Sequence, residues 1–354
     1  MDRKSEVYIA GSGIVTSIGG NLDMTVASLR AGISRFEESD FINKDRNPMT
    51  VAQIPVPSIE VYSDKLFENR NITPREARLL CIADIALQDI IDLFSDIGPV
   101  TAFIAGPESL PNMNSTGISD LFFDNLELQT GIIFNKKESV LFQTGRAGGF
   151  QATDTAIKYL HHCQCDYVLV GGIDSYCNDD VLDHFDRDDR INSEDISDGF
   201  VASEAAGFML LTSRRELSHQ KYSRLGLNVP GIACEEGHRY SDLPYKGDGL
   251  AEAFRCAIAN AKVEKVSRIY SSLNGENFGA KEYGVACVRN KDTLSDSLQL
   301  YHPADCFGDI GAAFGIVLIC IAAEHMVVNV ESDASLVYSS SERGLRGAVC
   351  ISAV

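Results

Sequence analysis

Phe142-Gln-Thr-Gly-Arg-Ala-Gly-Gly-Phe150 reads as a short strand, a tight glycine turn and the start of an amphipathic helix. Phe150, Thr153, Ile157 and Leu160 recur at helical spacing and support that helix. A strand-to-helix elbow aims free backbone N–H groups and the positive helix end at one residue, which lowers the pKa of a thiol placed there. Enzymes hold nucleophilic cysteines in this way. Here the residue opening the helix is Arg146, which keeps its proton near neutral pH and is no nucleophile. Its charge opposes the helix dipole, so it needs a carboxylate beside it.

Outward from the elbow, strands and helices alternate. Tyr167-Val-Leu-Val-Gly-Gly172 is a buried strand directly after the elbow helix. Val7 to Gly20 is a strand running into a glycine-rich turn, followed by a helix near Met24 to Ala31. Gly11 and Gly13 invite a dinucleotide reading, but the third glycine of that fingerprint is misplaced. Residues 35–70 read as irregular, with Pro48, Pro55 and Pro57 marking a surface loop. Thr73-Pro-Arg-Glu76 is a capping box with proline at the first helical position. The helix it starts buries Leu79, Ala83, Ala86, Leu87 and Ile90, ends by Gly98-Pro99, and gives way to a strand over Val100 to Ala105.

Past residue 220 the order repeats. Tyr222 to Ala233 is strand-like, limited by Pro230, and Asp248 to Lys262 is a helix with Leu250, Phe254 and Ile258 on one stripe. Arg268 to Leu273 is a strand, Asp309 to Glu324 a buried helix, and Gly347 to Val354 a final strand. Such alternation predicts an α/β fold with a mainly parallel sheet covered on both faces. Two halves of similar order predict an internal duplication, divided at 1–218 and 219–354.

Charge and cysteine usage narrow the partners. A net charge of −19 argues against nucleic acid, because phosphate contacts need basic patches. The same field weakens docking to an acidic partner such as an acyl carrier protein unless a local basic patch compensates. The apolar run Ile310 to Ala323 is too short to span a bilayer and reads as a buried helix, so no membrane is expected. Ten cysteines occur without regular spacing, several in apolar runs (Cys81, Cys256, Cys320, Cys350), which suits reduced thiols in a cytoplasm. No signal-peptide pattern opens the chain.

Four stretches together resemble the β-ketoacyl synthases of the thiolase-like superfamily. They are Ile9 to Gly19 with Leu29-Arg-Ala-Gly-Ile-Ser34, the elbow from Thr144 to Ala156, Cys165 to Gly172, and Asp198-Gly-Phe-Val-Ala-Ser-Glu-Ala-Ala-Gly-Phe-Met-Leu-Leu211. The last is similar to the family's "DGFVxGEGAG" stretch. The resemblance implies a thiolase-like five-layered α-β-α-β-α fold from two duplicated βαβαβαββ halves, and a dimer. It also implies where the catalytic residues should fall. The family's cysteine falls on Arg146, its first histidine on Asn274 and its second on Asp309. The glycine-rich segment that supplies an oxyanion-hole N–H falls on Glu342-Arg343-Gly344-Leu345. Condensation needs a thiolate to carry the acyl chain and imidazoles at the thioester oxygen, and none of these side chains is present.

Other candidates carry less. Cys306, three residues before Asp309, reads as a packed thiol rather than a relocated nucleophile. His161 and His162 end the elbow helix, His302 starts a loop, and His184, His219, His238 and His325 read as solvated surface. Asp186-Arg-Asp-Asp-Arg190 with Glu194, Asp195 and Asp198 lacks the glycine and terminal glutamate of a calcium loop and reads as a solvated acidic loop. Glu204 resembles a glutamate that the family keeps buried near its site, and a hydrogen-bonded core carboxylate is the expected role. No metal or cofactor is expected.

The reading that results is a non-condensing homologue, related to fatty acid or polyketide biosynthesis, acting as scaffold, accessory or partner subunit in a bacterial acyl-assembly or other multiprotein system. The alternative is an acyltransferase or thioester hydrolase acting on acyl-ACP or acyl-CoA, with Arg146 as a clamp and Glu276 or Asp309 as a base. Arg146 is expected within hydrogen-bonding reach of Asp309, with Asn274 or Glu342 nearby. The strand Ser139 to Thr144 is expected at a dimer interface through Val140 and Phe142, as a homodimer or as a heterodimer with an active synthase.

Overall fold

The computed structural model describes residues 6–55, 63, 66, 72–95, 97–113, 115–163, 165–193, 196–328 and 334–354. Two sheets form its frame. The first uses β1 (Tyr8–Thr16), β2 (Glu37–Ile42), β3 (Pro48–Ala52), β4 (Ala102–Ala105), β5 (Val140–Phe142), β6 (Val168–Ser175) and β7 (Ala202–Thr212). The second uses β8 (Leu225–Leu227), β9 (Gly231–Cys234), β10 (Val266–Ser271), β11 (Leu294–Tyr301), β12 (Ala334–Ser340) and β13 (Leu345–Ala353).

Their pairings repeat. In the first sheet β4 lies parallel to β5 and β6, β6 runs antiparallel to β7, and β7 antiparallel to β1. In the second, β10 lies parallel to β11 and β12, β12 runs antiparallel to β13, and β13 antiparallel to β8 and β9. The same order and the same senses in both sheets make the duplication visible as topology.

The helices repeat as well. Helix α1 (Leu22–Arg30) follows β1, α2 (Pro74–Gln88) and α3 (Phe122–Thr130) flank β4, and the elbow helix α4 (Gly148–His162) joins β5 to β6. After α5 (Asp179–Arg187), the second half places α6 (Asp248–Ala261) and α7 (Asn277–Arg289) around β10, and α8 (Phe314–Val328) between β11 and β12. Helices α4 and α8 are buried between the sheets, which gives the five layers α-β-α-β-α. They cross closely because both are glycine at the crossing. A Cβ added to Gly149 would lie 3.2 Å from the Gly315 Cα, and one on Gly315 would lie 3.1 Å from the Gly149 Cα.

The α8 segment runs further than the apolar run suggested. Gly311–Val328 is 18 residues with a mean hydropathy of 2.0, enough by length and composition to cross a membrane. Yet 83% of it is buried inside the fold, where it fills the middle layer. A helix apolar on all sides belongs in a core of this kind.

Several expectations need correction. Within the stretch expected to be irregular, β2 and β3 form a hairpin that adds to the first sheet through β7, closed by Asn43 accepting from Asp45 and Asn47 with Arg46 left-handed (φ 67°). Pro57 lies outside the described residues. The strand-like run Tyr222 to Ala233 is two short strands, β8 and β9, separated at Asn228-Val-Pro230. Half of the capping box forms: Thr73 Oγ1 accepts from the Glu76 N–H. The Glu76 carboxylate turns instead to Ser119 and Asn125, which pins α2 to the start of α3.

Candidate functional site

The elbow presents its arginine from a 3-10 turn, Gly145–Ala147, just ahead of α4 rather than from the helix itself. Gly145 makes the bend with φ 71°, and a Cβ there would meet the Glu108 carboxylate at 2.4 Å, so conformation and space both demand glycine. Arg146 is only 5% exposed. Its Nε donates to both oxygens of Asp309 at 3.1 Å and its Nη1 to Glu342 Oε1 at 2.6 Å. The contact expected between Arg146 and Asp309 is therefore formed, with Glu342 on the other side. Asn274 completes it, its Nδ2 donating to Asp309 Oδ2 at 2.7 Å and to Glu276 Oε2 at 3.0 Å.

A second arginine extends the cluster. Arg190, 4% exposed, donates from Nε and Nη2 to the two oxygens of Glu276, and from Nη1 and Nη2 to the two oxygens of Glu342, each at 2.8 Å. Its Nη1 also reaches the Tyr240 hydroxyl at 3.1 Å, and its guanidinium lies over Phe185 and Phe200 at 4.8 and 5.5 Å. Arg239, at the outer edge, sits 3.0 Å from Glu276 Oε1 with its guanidinium over the Phe278 ring. Three guanidiniums thus face three carboxylates.

This balance acts most directly on Glu342 and Arg146. Burial pushes the Glu342 carboxyl up, but Arg190 and Arg146 outweigh it and hold it well below the usual carboxylate range. Burial likewise opposes the charge on Arg146, and Asp309 foremost outweighs it. Both oxygens of Asp309, Glu276 and Glu342 already accept hydrogen bonds. The adjoining cleft has about 40 Å³ of free space, room for a few waters but not for an acyl chain.

The backbone N–H groups of Glu342 and Arg343 do not face empty space. Each donates at 3.0 Å to an oxygen of Glu108, which reaches in from the end of β4. Burial and the neighbouring Glu342 charge push the Glu108 carboxyl up to about 7. A raised carboxyl binds a proton in the folded chain between the unfolded value near ~4.3 and about 7. Its stabilising contribution is full below ~4.3 and is lost as pH rises through about 7. Between pH 6 and pH 8, Glu108→Gln should therefore flatten the fall in stability by on the order of 1 kcal/mol, measured by urea denaturation at each pH. Parallel curves for the two proteins would contradict this.

The structure brings together Arg146, Asn274, Asp309, Glu276 and Glu342, and leaves the other candidates outside. Cys306 sits in a single helical turn, Ala304–Phe307, half-buried against the main core, where burial pushes its thiol pKa up. Glu204 is fully buried in a separate cluster, held by Arg78, the Ser175 hydroxyl and the Ile54 N–H. Arg343 is exposed and donates to the Ser109 carbonyl, and Gly344 accepts from Glu235 through its carbonyl.

Two further readings are corrected. Asp186 and Arg190 do not belong to a solvated loop: both are buried, and Arg190 is central to the site. Glu194 and Asp195 lie outside the described residues. His184 is buried against Tyr240, and His325 bonds the Tyr270 hydroxyl beside Tyr301, so neither is a surface histidine. Sequence reading missed Arg190, Arg239, Tyr240 and Glu108. A charge count could have found two of them, since three buried carboxylates around one Arg146 require two more cations.

Residues 138–216 match the family described as β-ketoacyl synthase, N-terminal domain, a span that begins just before the elbow strand and ends just after β7. Over that span the chain is similar to the β-ketoacyl synthases. Its thiolase-like fold matches solved ketosynthases along almost its whole length. The ishigamide ketosynthase/chain length factor superposes with a TM-score of 0.77 at 16% identity, covering 99% of both chains. A ketosynthase in complex with its chain length factor from Xenorhabdus doucetiae gives 0.76 at 14% identity, covering 99% of this chain and 98% of that one. The ketosynthase from module 6 of the bacillaene synthase from Bacillus subtilis 168 gives 0.78 at 13% identity, with 99% and 72% covered. Identities this low carry the fold and no more. No curated protein sequence matches this chain.

Proposed function

We propose that this β-ketoacyl-synthase relative does not condense acyl groups and works as a scaffold, accessory or partner subunit in an acyl-assembly or other multiprotein system. The observation that carries the proposal is the Arg146 guanidinium, buried at the elbow and clamped between Asp309 and Glu342. A non-nucleophilic cation fills the place where the family resemblance puts a thiol, and its partners fill the places of the imidazoles and the oxyanion segment. Glu108 supports the same reading, because the N–H groups of Glu342 and Arg343 are spent on a carboxylate of the chain itself. The alternative hydrolase or acyltransferase reading gains nothing from Glu276 or Asp309, since each is already saturated by donors.

Assembly follows from the edge of the first sheet. Among the described residues strand β5 pairs with β4 alone, so its other edge is not paired to any described strand. Val140 on that strand is 40% exposed, whereas Phe142 is half-buried against the main core, so Val140 is the better reporter of the two. An open edge of this kind is normally covered. A second copy or a related synthase, meeting β5 across a two-fold axis, covers it in this reading. Solved relatives described as a ketosynthase with its chain length factor are consistent with either partner. The ten unpaired thiols suit a cytoplasmic setting.

Light scattering at micromolar concentration should give twice the 38.5 kDa chain mass when the protein is made alone. Val140→Lys should shift it to monomer by placing a charge at a desolvated contact. A clean monomer of the unaltered protein would contradict the homodimer, and a dimer indifferent to Val140→Lys would move the interface elsewhere.

A further inference from the structure

The cleft beside the buried cluster ends on an arginine whose donors are not all used. Arg346 is 0% exposed. Its Nε donates to Glu282 Oε1 at 2.6 Å, and its Nη1 to the carbonyls of Ser341, Arg343 and Leu345 at 2.9, 2.6 and 2.9 Å. The residue lines the same cleft as Arg239, and its Nη2 is buried with no hydrogen-bond partner among the described residues. A buried charged donor without an acceptor costs several times what a made hydrogen bond returns.

The acceptors around it are already taken. Glu276 and Glu342 accept on both oxygens from Arg190, and Glu282 accepts from Arg346 on one oxygen and from the Ser340 hydroxyl on the other. Counting Asp309 behind Arg146, the formal charges of the cluster balance. What Arg346 Nη2 lacks is an acceptor. Arg239 stands at the mouth, a quarter exposed, with its guanidinium braced on Phe278 at 4.9 Å. The free space of about 40 Å³ suits one oxyanion group and excludes a long chain.

We infer that this cleft binds a small oxyanion, a carboxylate or inorganic phosphate, between Arg346 Nη2 and Arg239. The inference goes beyond the scaffold reading and holds whichever partner covers β5. The whole-molecule charge of −19 repels anions, so binding rests on these buried donors and not on the long-range field. Such a site gives the chain a way to sense an acid or phosphate at the place where the family resemblance puts chemistry.

The test titrates the full chain with acetate and, separately, with phosphate, following thermal unfolding and calorimetry at constant ionic strength with chloride as balance. A saturable rise in Tm and a matching heat with either anion, absent with chloride alone, is the expected result. Arg346 is tied too closely to Glu282 for its substitution to be a clean first test. Arg239→Gln, at the mouth, should weaken the affinity by about tenfold, as losing one charged hydrogen bond does. Arg255→Gln, on the exposed face of α6 and paired only with its neighbours Glu252 and Cys256, should leave it unchanged. No saturable response to either anion would overturn the inference, as would affinity unchanged in Arg239→Gln or lowered equally in Arg255→Gln.

Discussion

Arg190→Met should destabilise the protein by about 3–5 kcal/mol, the cost of leaving buried charge without its partner. The side chain makes five charged or polar contacts, and Glu276 and Glu342 each lose two of them when it goes. Methionine keeps much of the volume between Phe185 and Phe200, so the loss is electrostatic rather than a cavity. The check is the urea midpoint, with a double-mutant cycle against Glu342→Gln. Alone, Glu342→Gln weakens the grip on Arg190 and Arg146. In the Arg190→Met background it removes a carboxylate left with Arg146 alone and should cost less than it does in the parent, so the two changes are not additive. Additive losses would mean that the cluster is not one electrostatic unit.

Arg146→Cys is the second large effect. It places a thiol at the elbow, where backbone N–H groups favour a thiolate. It also strips Asp309 and Glu342 of their shared cation, and a cost of about 3–5 kcal/mol is expected on the same grounds. Asp309, at 0% exposure, has no route to solvent that would relieve it, whereas Glu342 keeps Arg190. A thiolate beside the uncompensated Asp309 carboxylate is disfavoured, and Asn274 and Asp309 offer no imidazole to a thioester. The variant should therefore show a depressed urea midpoint and no condensation of acyl thioesters. Stability within ~0.5 kcal/mol of the parent would show that the buried pair is not what holds the elbow, since that is the range of an ordinary surface change.

The parts of the fold that sequence made legible are those with one dominant period. The elbow helix carries Phe150, Ala156, Ile157 and Leu160 on a single buried face, and α8 is apolar on every side. The duplication showed because both halves repeat that order. What escaped reading lacked a period. Strand β2, Glu-Glu-Ser-Asp-Phe-Ile, is half-exposed at a sheet edge and has almost no apolar alternation. Helix α7 carries Gly279, Gly284 and β-branched Val285 and Val288, and only Glu282 and Ala286 of it are buried. Its boundaries are set by packing against α6 rather than by its own propensity.

The candidate site divides in the same way. Arg146, Asn274, Asp309 and Glu342 could be placed because the resemblance to the family's motifs assigns them positions along the chain. Arg190 could not, because the run Asp186 to Arg190 looks like any solvated charge cluster until Phe185 and Phe200 close over it. Glu108 was invisible for a different reason. Its role depends on backbone N–H groups more than 230 residues later in the chain, and no local pattern reports such a contact.

The central claim is that this elbow accepts no acyl group. Intact-mass spectrometry of the unaltered protein after incubation with acyl-CoA, and separately with an acyl-loaded carrier protein, tests it most directly. The account predicts a single species at the unmodified 38.5 kDa mass with both donors. A stoichiometric increase by one acyl group, mapped by peptide digestion to Cys306 or to any residue lining the cleft, would contradict it.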